Sequence, residues 1–256
     1  VPDTTGPGDM SETMISFLDP RNRVVFSREY ISDRFSKDDL PFFYGAIEDE
    51  GYARKWSDIL FAICVLEEDG KAFEFAKNFV ATPWEWQKSS YSGHDATLVI
   101  RRRVLAIRAL AMVDPALSGP FLREVFARGG AETLLQNWRG APMPEEDLSF
   151  EGTMLIDVRG AAAIALLNTQ SPDLFRDVEE MFHELAAKGR ENRTEEDSSM
   201  MEVCSHTMAV RDLYEEMGWE QGKAYLQKLD GESRLNVIIR YAQKYAAQAR
   251  EMDPSR

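Results

Sequence analysis

The most constraining feature of this 256-residue sequence is a frame that recurs inside it. In Asp157-Val158-Arg159-Gly160-Ala161-Ala162-Ala163-Ile164-Ala165-Leu166, an arginine is followed by Ala three residues on and by Ala-Leu three residues further. Arg103, Ala106 and Ala109-Leu110 repeat it 56 positions earlier. Degraded copies are Ile59, Ala62, Val65-Leu66 and His206, Ala209, Asp212-Leu213, and a faint echo is Arg234, Val237, Arg240-Tyr241. Such positions share one helical face, and alanines on that face let a neighbouring helix approach closely. Recurrence of one helical face at intervals is how stacked helical arrays are written in sequence.

The rest of the chain agrees with helices. Apolar residues recur with helical period, and alternation of the strand kind is weak, Val24-Val25-Phe26 being its best short run. The pattern predicts helices near 38–50, 52–68, 70–82, 97–113, 116–128, 130–138, 153–168, 172–187, 198–216, 219–229 and 231–250. Ser36 to Asp39 reads as a capping start with Pro41 early in the helix. Breakers follow the frames at Glu68-Asp69-Gly70, Asp114-Pro115 and Ser171-Pro172.

With Asp157-Val158-Arg159, Ala162 and Ala165-Leu166, and with the Arg103 copy, the chain resembles the HEAT-like branch of the α-helical repeat proteins over roughly 38–250. The resemblance implies an all-α fold, a right-handed α-α superhelix of about five helix pairs. An irregular segment at 1–37 would precede it and a short tail at 251–256 would follow. The pairs would be 38–50 with 52–68, 70–82 with 97–113, 116–138 with 153–168, 172–187 with 198–216, and 219–229 with 231–250. The long connections 83–96, 139–152 and 188–197 would then all emerge along one edge, where repeat insertions commonly form a binding face. Stacked helix pairs suit protein or peptide recognition, so the expected function is a non-enzymatic protein-binding or scaffold module.

Candidate contact residues come from two sources. The first long connection carries Trp84, Trp86, Tyr91 and His94, with Trp138 at the entry to the second; Trp and Tyr dominate interface hot spots, and they equally serve to plug a core. The second source is charge. With 30 Lys and Arg against 44 Asp and Glu, the chain has a net charge of −14. Nineteen acids and six bases fall within 145–220, so nearly all of the excess lies there. Asp173, Asp177, Glu180 and Glu184 form one helical stripe in that region. The stripe is either a solvated face or a steering surface for a basic protein or peptide.

The same charge argues against nucleic acid, because an acidic chain repels phosphate backbones. Arg101-Arg102-Arg103 with Arg108 is the one basic concentration, and pairing with acidic neighbours accounts for it more readily than a phosphate groove. No run approaches the roughly 18 apolar residues of a membrane span. Cys64 and Cys204 have no metal-like or disulfide-framework spacing and are expected as free thiols. The histidines His94, His183 and His206 fall in different repeats, and no phosphate loop or nucleophile elbow occurs, so no cofactor, metal or catalytic set is expected. His206 takes the place of Arg159 in the frame and is expected to pack. The alternatives are an enzyme with His94, Asp95 and Arg108 in a small concave site, or an acidic inhibitor of a basic protein. The polar, breaker-rich opening Val1-Pro2-Asp3-Thr4-Thr5-Gly6-Pro7-Gly8 suggests an exported N-terminus or a linker.

Overall fold

The computed structural model describes Met14, Leu18 and residues 28–81, 102–128 and 148–254. Among these residues all regular structure is helical, and no β-strand occurs. The helices are α1 (Arg28–Arg34), α2 (Leu40–Glu48), α3 (Trp56–Leu66), α4 (Asp69–Ala81), α5 (102–109), α6 (Pro115–Arg128), α7 (Leu148–Asn168), α8 (Pro172–Ala187), α9 (Glu195–Met217), α10 (Trp219–Lys228) and α11 (Gly231–Glu251). Short 3-10 turns precede α2 and α3 and close α5 at Leu110–Met112.

The frame marks the faces these helices bury. Ala106, Ala109 and Leu110 of the first strong copy and Ala162, Ala165 and Leu166 of the second are all fully buried. Of the degraded copies, Ile59, Ala62, Leu66, Ala209 and Leu213 are buried too. Each of α3, the end of α5, α7 and α9 packs on the next along the series, and α4, α6 and α8 do the same among themselves. Each member of one series also packs on its neighbours in the other, as α6 does on α7 and α8 on α9. Close approach needs small residues elsewhere as well. A Cβ on Gly222 of α10 would lie 2.6 Å from the Tyr214 ring and 3.1 Å from the Tyr214 backbone.

At the C-terminal end the pattern changes. α10 and α11 pack mainly on α9 rather than on each other, and α11 also reaches α8. Tyr241 Oη donates to Glu216 at 2.6 Å, and Tyr245 Oη donates to Asp212 Oδ2 at 2.8 Å. Lys244 Nζ holds the same Asp212 oxygen at 2.7 Å. The rising number on α11 against the falling one on α9 makes the two helices antiparallel.

Helix ends follow the local chemistry. Ser36 and Asp39 form a reciprocal capping box, with Pro41 in the first turn of α2. Thr194 and Asp197 form another at the start of α9. Gly189 after α8 and Gly218 after α9 take φ of 76° and 86°, which only glycine adopts without strain.

Three expectations are corrected. The stretch 1–37 is not irregular throughout, because 28–34 is the helix α1, whose Ile31 is buried in the core. The helix expected from 153 starts at Leu148, so the connection 139–152 ends earlier. In the connection 188–197 a 3-10 turn occupies Arg190–Asn192, and the capping box starts α9 at Glu195. The expected helix at 130–138 and the strand-like run at 24–26 lie outside the described residues.

Candidate functional site

The conspicuous frame residue, Arg159, is a structural group. It is buried, its Nε donates to Phe126 O at 2.8 Å, and its guanidinium meets Glu196 at 3.1 Å. Phe126 lies in the last turn of α6, where carbonyls lack a partner within the helix. Burial lowers the Arg159 pKa from its ordinary value, and Glu196 works against that shift. Two further arginines repeat the device. Arg193 donates to Leu185 O and Ala186 O at the end of α8, both at 2.7 Å. Arg234, the faint echo of the frame, donates to Leu226 O at 2.8 Å and Leu229 O at 3.1 Å at the end of α10. Arg103 is the most completely buried arginine of the described chain, and burial lowers its pKa to about 10. Arg159 and Arg234 of the frame therefore fasten helix to helix, and Arg103 is buried in the same face; Arg108, on the far side of α5, is exposed.

The acidic stripe lies on α8, opposite the face that buries Leu174, Val178, Phe182 and Leu185. Its first half is engaged by neighbours. Arg123 of α6 pairs with Asp177 at 3.0 Å and donates to Asp173 O at 2.6 Å, while Arg176 holds the Asp173 carboxylate at 2.6 Å. Glu180 and Glu184 are exposed and form no ion pair among the described residues. Beyond the stripe, Lys188 holds Asp197 at the acidic start of α9, Glu195, Glu196 and Asp197, of which Glu195 alone has no cationic partner among the described residues. Of the sequence-predicted contact residues, the structure brings together Asp173, Asp177, Glu180 and Glu184. Trp84, Trp86, Tyr91, His94 and Trp138 lie outside the described residues, as do Asp95 and Arg101.

A second feature went unread in the sequence. Between α9 and α11 runs a groove of about 340 Å³. Its floor is Phe182 of α8 and Tyr245 of α11, whose rings meet edge to face at 5.7 Å. Met201, Ala242, Ala246 and Ala249 line its sides, and Glu202, Ser205, His206 and Gln243 line its rim. The signal was present: Ser198, Met201 and Ser205 on α9, and Leu235, Ile239, Ala242, Ala246 and Ala249 on α11, follow helical spacing. His206, expected to pack, is half-buried at this rim.

The rim holds no aligned nucleophile and base. Ser205 Oγ donates to Glu202 O at 2.9 Å, and Ser198 Oγ donates to Thr194 O at 3.0 Å, so both hydroxyls serve their own helix. His206 Nε2 stands 3.9 Å from Glu202 Oε1, beyond a good hydrogen bond. Among the described residues no group of three or more His, Cys, Asp or Glu side chains gathers to hold a metal ion. Cys64 and Cys204 are free and buried, and burial pushes each thiol up to about 12. Among the described residues no helix is long and apolar enough to cross a membrane. Comparison with protein-family models, with curated proteins and with solved structures finds no match to this chain.

Proposed function

We propose that the chain is a HEAT-like helical-repeat module, a right-handed superhelix that binds a basic protein or peptide. The partner docks on the outer face of α8 and on the long connections, of which 188–197 follows that face directly. One observation carries the reading: Glu180 and Glu184 stand exposed on α8 with no ion pair among the described residues, within a region that holds nearly all of the chain's excess negative charge. An exposed acidic face costs the folded state self-repulsion, which a basic partner relieves. Two series of helices, each packed on the next, give such a partner an extended surface. A binding role is favoured over catalysis because the hydroxyls of the described groove serve their own helix and do not converge with its imidazole.

Glu180→Lys/Glu184→Lys is the direct test. Both positions are exposed, so the fold tolerates the change. Partners retained by the wild-type chain from its native lysate should bind the variant at least about tenfold more weakly, and should leave the wild type as salt screens the contact. Equal retention by both chains at every salt concentration would refute the acidic-face reading.

A further inference from the structure

We draw no further inference here: the strongest candidate, the apolar groove between α9 and α11 floored by Phe182 and Tyr245, carries nothing because nothing in the structure shows what covers it.

Discussion

Arg159 keeps a charged side chain in the interior with one carbonyl and one carboxylate. Removing it strands Phe126 O, a buried acceptor, and the loss is that of a charge-assisted hydrogen bond. Arg159→Ala should therefore destabilise the chain by about 3 kcal/mol in urea unfolding. Arg234→Ala removes the same kind of contact from an exposed position and should cost about 0.5 kcal/mol. Equal costs would mean that the arginines matter through charge alone and not through the helix ends they cap. The thiols give an independent check of the interior. With both cysteines buried and their pKa raised, a disulfide-exchange reagent at neutral pH should label neither in the native protein and both in denaturant. Much of this was legible in the sequence. Arg159 and its alanines announced a buried helical face because size and spacing are local properties. What the arginine bonds to was not legible, since Phe126 is 33 positions away. Nor could spacing reveal that Arg193, outside the frame, caps α8 while the frame position itself holds His206.

At the scale of elements, the packing makes opposite demands on two glycines. Gly222 lies where α10 crosses the Tyr214 backbone, so Gly222→Ala overpacks and should cost about 2 kcal/mol. Gly45, inside α2, has nothing within 4 Å of a built Cβ. Gly45→Ala should stabilise by about 0.5–1 kcal/mol through helix propensity. Thermal melts of the two variants should thus shift in opposite directions. The start of α9 responds to acid. Lys188 and the Thr194 backbone N–H hold the Asp197 carboxyl below its ordinary pKa. A depressed folded value means that the stabilisation is present above the ordinary carboxylate range and is lost as pH falls through the folded value. The stability gap between wild type and Asp197→Asn should be widest near neutrality and should close below about pH 4. The capping start at Ser36 and the breakers at Asp69-Gly70, Asp114-Pro115 and Ser171-Pro172 placed the starts of α2, α4, α6 and α8 within two residues. The early start of α7 at Leu148 was missed because Gly152 and the polar residues around it carry no helical period of their own.

At the scale of the whole molecule, the all-helical class was legible in the sequence and the surface was legible only in part. The acidic stripe could be read because charge at helical spacing is visible without tertiary structure. Arg123, fifty positions from Asp173, had to fold against α8 before it emerged that Asp173 and Asp177 are engaged while Glu180 and Glu184 pair with no cation among the described residues. The groove stayed hidden for the same reason: each wall alone is a modest run of small residues, and only antiparallel packing of α11 on α9 makes a channel of them. The central claim is that the acidic face of α8 and the long connections, rather than the short turns, meet a partner. Chemical crosslinking in native lysate, with the linked residues mapped by mass spectrometry, tests it most directly. The account predicts crosslinks at 188–197, at 83–96 or 139–152, and at Lys188 beside the acidic face; crosslinks confined to the short turns near Glu68, Asp114 and Ser171 would contradict it.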